Sequence, residues 1–278
     1  MQNYDIYNDI AERTGGEIYV GVVGPVRTGK STFVSKFMEK LVIPNISGKN
    51  KKQVATDELP QSAVGKTIMT TEPKFVPANA VNVQFGKVSA KIKLIDCVGY
   101  LVDGAVGHEE DGQPRMVKTP WSSENIPFEK AAAIGTEKVI KDHSTIGILV
   151  TTDGSIGELP RANFVKAEDR VAKELKALNK PFVIVLNTTD PAGKEAKKLA
   201  ASISEKHGVP ALPLNVAQMG EEEINSVIEE VLFQFPIKSI DVDLPRWMQA
   251  LPQDNPIIAA ALKEVAENAQ KMAKMCDY

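Results

Sequence analysis

The stretch Gly24-Pro25-Val26-Arg27-Thr28-Gly29-Lys30-Ser31 constrains this chain more than any other, because it carries the spacing G-x-x-x-x-G-K-[ST] between an apolar run and a helical pattern. Glycines let successive backbone N–H groups turn toward one point, and the helix N-terminus adds its own, so the turn cradles phosphate. The spacing therefore commits the chain to a strand–loop–helix unit of an α/β protein. Lys30 is placed to neutralise β- and γ-phosphates and the Ser31 hydroxyl to ligate Mg²⁺. Gly24, Arg27, Thr28, Gly29 and Thr32 complete the candidate cradle. The bland alternative is a glycine-rich strand-to-helix turn, and the flanking strand and helix patterns weigh against it.

The rest of the chain alternates β-branched runs with helical patterns. Strands are expected over residues 18–23, 80–85, 91–96, 146–151, 182–187 and 211–216, and helices over 31–40, 128–142, 161–178, 193–206 and 221–233. Residues 146–150 and 182–186 are apolar throughout, as central strands covered on both faces are. The expected fold is a phosphate-loop α/β protein of the GTPase-like (TRAFAC-type) kind, a mostly parallel sheet with helices on both faces. Residues 44–72 and 100–127 read as loops too long for simple connections, and such loops are functional or disordered. The pattern changes after Pro236: a candidate strand over 237–244, three prolines, then an amphipathic helix over 257–275 that stops with the chain. The expected division is residues 1–235 as one domain and 236–278 as the start of a following region, with the natural protein continuing.

Composition closes off other classes. At 278 residues, with 43% hydrophobic and 25% charged, the chain is globular, and a net charge of −3 offers no field for nucleic acid. An aromatic content of 6% is low for an all-β sandwich. Two cysteines, Cys97 and Cys276, make neither a disulfide framework nor a metal pair, which fits a reducing cytosol. Gln2-Asn3-Tyr4-Asp5 does not read as a signal peptide, and no apolar run is long enough to span a membrane.

Three further elements fit a triphosphate site. The apolar run 91–95 ends in Asp96, with Gly99 three residues on; Asp96 is a candidate for holding Mg²⁺ and the Gly99 N–H for meeting a γ-phosphate, with an ordinary strand-end cap as the alternative. Thr70 and Thr71 lie between the two motifs, where GTPase-like proteins keep a threonine that completes the Mg²⁺ shell; solvent threonines are the plain alternative. Asn187-Thr188-Thr189-Asp190 follows the fifth strand, where GTPases carry N-K-x-D to read guanine. Without the lysine, its stem no longer covers the base or braces the phosphate loop. Asp190 either accepts from a base amino group or opens an Asx turn before Pro191, so this loop leaves ATP and GTP open. Tyr100 stands where Ras-like enzymes place a water-orienting Gln, and Val26 where a glycine leaves room for an arginine finger. Both argue for slow turnover, since a finger is worth about 10³ to 10⁵ in rate. Arg27 reads as solvated, with phosphate contact as its other role.

Several stretches together resemble one family. Residues 9–16, the loop 24–31 with Thr32-Phe33, residues 41–47, 57–63 and 65–77, and Thr151-Thr152-Asp153-Gly154 are similar to the stage IV sporulation protein A family. The resemblance implies a Mg²⁺-dependent ATPase on a GTPase-like scaffold. It implies Lys30 as phosphate lysine, Asp96 as the magnesium acid, and Thr70 and Thr71 as γ-phosphate sensors. It further implies self-assembly into a homopolymer in the mother-cell cytoplasm, at the forespore surface, as the base layer of the spore coat. Partners implied are other coat proteins and a small amphipathic membrane peptide, stage V sporulation protein M, through C-terminal regions that this chain does not include. Two rivals stay open: a GTPase signalling switch, kept by Asn187 and Asp190, and a nucleotide-binding scaffold without turnover.

The remaining features have plain readings. His108, His143 and His207 are too far apart in sequence to suggest a metal site, and Lys49, Lys51 and Lys52 read as a solvated loop. Trp121 and Trp247 read as packing plugs, with an assembly contact as the alternative. The terminal helix mixes Lys and Glu on its polar face and is expected to pack on further protein rather than on a membrane.

Overall fold

The chain is described here from a computed structural model that covers residues 13–60, 72–85, 88–110, 112–237, 242–252, 255–269 and 272–275. Its frame is a six-stranded sheet. The strands are β1 (Glu17–Val23), β2 (Lys74–Phe85), β3 (Val88–Asp96), β8 (Ile146–Thr152), β9 (Phe182–Asn187) and β10 (Ala211–Leu214), in spatial order β10-β9-β8-β1-β3-β2. All neighbours are parallel except β2, which runs antiparallel to β3 at one edge. Every residue of β8 and β9 is buried, so these runs lack alternation because both faces are covered.

Seven helices of eight residues or more flank or follow the sheet among the described residues: α1 (Lys30–Phe37), α2 (Lys49–Asp57), α3 (Phe128–Lys138), α4 (Val165–Ala177), α5 (Lys194–His207), α6 (Glu221–Phe233) and α7 (Pro256–Ala269). On one face Phe33 and Phe37 of α1 and Val227 and Val231 of α6 pack against Val20, Val22 and Leu94. On the other, Val171 and Leu175 of α4 and Ile203 of α5 pack against Val23, Ile184 and Leu186. Each face carries its own core, as a doubly covered sheet requires.

Several boundaries differ from expectation. The expected helices 31–40 and 128–142 each end in a π-helical turn, Met38–Val42 and Val139–His143, and 161–178 opens with a 3₁₀ turn, Arg161–Phe164. β2 begins at Lys74, ahead of the expected residue 80, and β10 stops at Leu214 rather than 216. The two long loops are not structureless. Residues 44–72 contain α2, whose only buried residue is Ala55, so there was no apolar stripe to read. That helix also carries Lys49, Lys51 and Lys52, expected in a loop. Residues 100–127 fold into two small hairpins, β4 (Glu109–Glu110) with β5 (Gln113–Pro114) and β6 (Met116–Thr119) with β7 (Ser122–Pro127). Their strands are mostly exposed and polar, which hides a period-two pattern. Part of the candidate strand 237–244 lies outside the described residues. α7 ends at Ala269, short of the expected 275, and residues 273–275 return to pair with Phe235–Ile237.

The carboxyl ends of β1, β3, β8 and β9 all open on one edge, where ligands of open α/β sheets bind. The loops after these four strands carry the candidate residues.

Candidate nucleotide site

The loop after β1 wraps tightly. Gly29, at φ 94°, ends it immediately before α1, and a side chain there would collide with the Asn187 amide nitrogen. The left-handed backbone and the collision both call for glycine. Thr28 is fully buried, and its hydroxyl donates to the Pro25 carbonyl at 3.0 Å. The Lys30 ammonium donates to the same carbonyl and is buried. Burial pushes the Lys30 pKa down, while the Cys97 and Asp96 groups nearby pull it back up. Val26 is buried and donates its N–H to the Tyr100 carbonyl at 2.9 Å, which ties the loop to the segment after β3. Arg27 adopts φ 62° and is half-buried, with its Nη2 buried and without a hydrogen-bond partner. Thr32 sits half-buried in the first turn of α1.

β3 delivers Asp96 beside the start of α1. The Ser31 hydroxyl donates to Asp96 Oδ2 at 2.6 Å, joining two residues expected to share one metal. Asp96 is 7% exposed, and its Oδ1 is buried with no hydrogen-bond partner. Burial pushes its pKa up, and the Ser31 hydroxyl and the Lys30 charge act against that. A buried carboxylate oxygen with no donor, next to a serine hydroxyl, is the hard oxygen pair that Mg²⁺ takes. The residues present therefore fit the metal. Gly99, at φ 93°, packs so closely that a Cβ would run into the Gly24 carbonyl and approach Lys30 Nζ to 2.7 Å. Gly99 thus lies against the phosphate loop and Lys30. Thr70 and Thr71 lie outside the described residues.

Tyr100 turns away from the loop. Its hydroxyl donates to Glu174 of α4 at 2.6 Å, and the Arg170 guanidinium lies 3.9 Å over its ring. Burial and the Glu174 carboxylate push the phenol pKa far up, so it stays protonated. A cavity of about 500 Å³ lies beside it, walled by Leu101, Pro127, Lys130, Lys166 and Arg170, none of them a candidate residue of the nucleotide site.

On the β9 side, Asn187 is buried and uses both ends of its amide. Nδ2 donates to the Thr28 carbonyl at 3.0 Å, and Oδ1 accepts from the Val216 N–H at 3.1 Å. It braces the phosphate loop, which in N-K-x-D loops is the part of the lysine that this chain lacks. Asp190 is exposed, and its backbone carbonyl accepts from the Gly193 N–H at 3.2 Å, a backbone turn and not a side-chain Asx bond.

Sequence reasoning missed the loop after β8. Asp153 accepts the Thr188 hydroxyl at 2.6 Å and the Ser155 hydroxyl at 2.6 Å. Burial opposes its charge, yet the Ser155 and Thr188 donors outweigh that and hold its pKa below the usual value. Behind it, Arg161 donates to Thr151 Oγ1 at 3.0 Å and forms an ion pair with the fully buried Glu168 at 2.6 Å. The signal was a fully apolar strand ending in Thr-Thr-Asp-Gly-Ser, polar residues at the same sheet edge as the phosphate loop. His207 lies 3.5 Å from Glu168 and 3.4 Å from Asp169. Arg161 and Lys206 already balance those two carboxylates, which leaves no surplus negative charge for a cation.

The family model described as the ATPase domain of stage IV sporulation protein A matches residues 1–236. The chain is 53% identical over 276 residues to stage IV sporulation protein A of Clostridioides difficile (strain 630), covering 99% of this chain and 56% of that protein. It is 49% identical over 278 residues to the protein of the same name from Bacillus subtilis (strain 168), covering 100% of this chain and 56% of that protein. It thus spans about half the length of these relatives. Among solved structures it is similar to Era Y63A of Aquifex aeolicus bound to GDP·AlF₄⁻, with 17% identity, 91% of this chain and 67% of that one covered, and a TM-score of 0.43. No helix among the described residues is long and apolar enough to cross a membrane. The chain belongs to the stage IV sporulation protein A family, and the match places that family's ATPase domain over residues 1–236.

Proposed function

We propose that this chain binds Mg²⁺–ATP and hydrolyses it to ADP and phosphate, slowly, as the motor part of a spore-coat morphogenetic protein that assembles with copies of itself. The observation that carries the reading is the Ser31–Asp96 pair beneath the phosphate loop, with Asp96 Oδ1 buried and unpartnered beside Lys30. In this reading Lys30, Gly24, Arg27, Thr28, Gly29, Ser31 and Thr32 hold the phosphates, and Gly99 approaches the terminal one. Ser31, Asp96, Thr70 and Thr71 would hold the metal, which would supply positive charge to offset that of the phosphates. Asn187 and Asp190 lie on the base side. Tyr100 takes no part in orienting water, which supports slow turnover.

The proposed division is an ATPase domain over residues 1–235, with residues 236–278 opening a further region. Self-assembly, other coat proteins, the amphipathic membrane peptide and a place on the forespore surface follow the family resemblance and belong to the longer protein. The test is multiple-turnover phosphate release with ATP and with GTP. Release from ATP in preference to GTP supports the reading. Preference for GTP favours the signalling switch, for which Asn187 and Asp190 speak, and no release from either favours the scaffold. Sedimentation of full-length protein with ATP, ADP and a non-hydrolysable analogue tests assembly, and equal pelleting in all three shows that the nucleotide does not drive it.

A further inference from the structure

We propose that Asp153 is the positioning residue of the base loop: through two hydroxyls it fixes the backbone of Thr189 and Asp190, and so sets affinity for the nucleoside rather than for the phosphates. This inference rests on the nucleotide reading above.

The geometry is a relay. Asp153 Oδ2 accepts the Thr188 hydroxyl at 2.6 Å, and Thr188 Oγ1 in turn accepts the Asp190 N–H at 3.2 Å. Asp153 Oδ1 accepts the Ser155 hydroxyl at 2.6 Å and the Ser155 N–H at 2.9 Å. Ser155 Oγ then accepts the Thr189 N–H at 3.0 Å. A hydroxyl has one proton and two lone pairs, and an ionised carboxylate only accepts. Asp153 therefore draws both protons to itself, which turns the lone pairs of both hydroxyls toward two successive amides of the base loop.

The relay is anchored at both ends. Asn187, immediately before Thr188, is bonded to Thr28 and Val216. Thr151 and Thr152, immediately before Asp153, are held by Arg161, whose charge is balanced by the buried Glu168. Gly154 takes φ 91° with its N–H on Thr152 Oγ1 at 3.1 Å, which completes the turn that presents Asp153. Thr188 stands where a guanine-reading loop has lysine, and it is 1% exposed. Here the loop is supported from inside, by hydrogen bonds.

The arrangement separates two kinds of affinity. The phosphate loop touches the base loop through Asn187, not through Asp153. Removing the Asp153 carboxylate should therefore disorder the base loop and leave the cradle. The experiment compares binding of Mg²⁺–ADP and of Mg²⁺–tripolyphosphate by calorimetry for the wild type, Asp153→Ala, Asp153→Asn and Thr188→Val. Asp153→Ala and Thr188→Val should weaken ADP binding about tenfold, the size of a lost charge-assisted contact, and leave tripolyphosphate within about twofold. Asp153→Asn, which can accept on one side only, should fall between. The double variant Asp153→Ala/Thr188→Val should be no worse than the worse single, since both break one path. Unchanged ADP affinity, or equal loss for ADP and tripolyphosphate, overturns the proposal. If wild type binds Mg²⁺–tripolyphosphate as tightly as a non-hydrolysable ATP analogue, which has the same number of phosphates, the nucleotide reading falls first and this inference with it.

Discussion

Replacing Asn187 by alanine should damage stability and nucleotide binding together. The side chain is buried and bonded to the Thr28 carbonyl at 3.0 Å and to the Val216 N–H at 3.1 Å. Alanine leaves both backbone groups without their partner in the interior. Each orphaned group costs about 1–3 kcal/mol, so the expected loss is about 2–6 kcal/mol. Typical domains hold about 5–15 kcal/mol in all, so this is a large share. In a chain of this size each kcal/mol moves Tm by about 2–4 °C, giving a drop on the order of 10 °C. Asp190 is the control: it is exposed on the same loop, and Asp190→Ala should stay within about 0.5 kcal/mol. Thermal unfolding without ligand reads the brace, and calorimetry with Mg²⁺–ATP reads its consequence for Thr28 and Gly29. An Asn187→Ala protein that melts with wild type would refute the reasoning, because two buried unsatisfied groups cannot be neutral unless the bonds were never made.

Lys30→Ala should weaken Mg²⁺–ATP binding about tenfold or more by removing a charge-assisted phosphate contact; unchanged affinity in a calorimeter would mean that the loop is not the site. Asp96 has its pKa raised by burial, so metal affinity, which needs the carboxylate, should fall as pH is lowered through a range above that of an exposed aspartate. The same raised pKa means that protonation of Asp96 favours the metal-free fold and that this contribution is lost as pH rises. The Tm difference between wild type and Asp96→Asn, followed against pH without metal, should therefore shrink on acidification, and a growing difference contradicts the burial argument. Tyr100→Phe removes the 2.6 Å bond to Glu174 and should cost about 1.5–3 kcal/mol while phosphate release stays within about twofold; a lost rate would show that the phenol acts in the chemistry.

What could be read from the sequence was what neighbours in the chain decide. The phosphate loop was legible because glycine spacing, Lys30 and Ser31 all lie within one turn between a strand and a helix. The pairing of Ser31 with Asp96 was legible one step removed, since a parallel strand beside β1 must end next to α1. The place of Asn187 beside the site was legible, but what its amide does there was not. A base reader and a loop brace look alike until the Thr28 carbonyl is seen opposite. The Asp153 relay was not legible, because hydrogen bonds between the β8 and β9 loops leave no period in either. α2 and the two hairpins escaped for a related reason. They bury too little apolar surface to impose a pattern.

The position of Tyr100 limits how the segment after Gly99 can respond to a nucleotide. Its backbone is locked on one side, with its carbonyl taken by the Val26 N–H and a bridge to Pro25. Its side chain is locked on the other, under Arg170 and against Glu174. Moving Tyr100 breaks both, and breaking the first opens the phosphate cradle itself. Beyond it Val102 and Ala105 are buried in the core on the α4 face, so a rearrangement that keeps both the cradle and this core must hinge after Ala105. The strands beyond it offer little resistance: β4 and β5 are fully exposed, and β6 and β7 bury only Thr119 between them. Few buried apolar contacts and exposed backbone bonds are the marks of segments that open at low cost. The rigid part, continuous with the phosphate loop, thus runs from Gly99 through Tyr100 to Ala105, and the exposed hairpins begin beyond it.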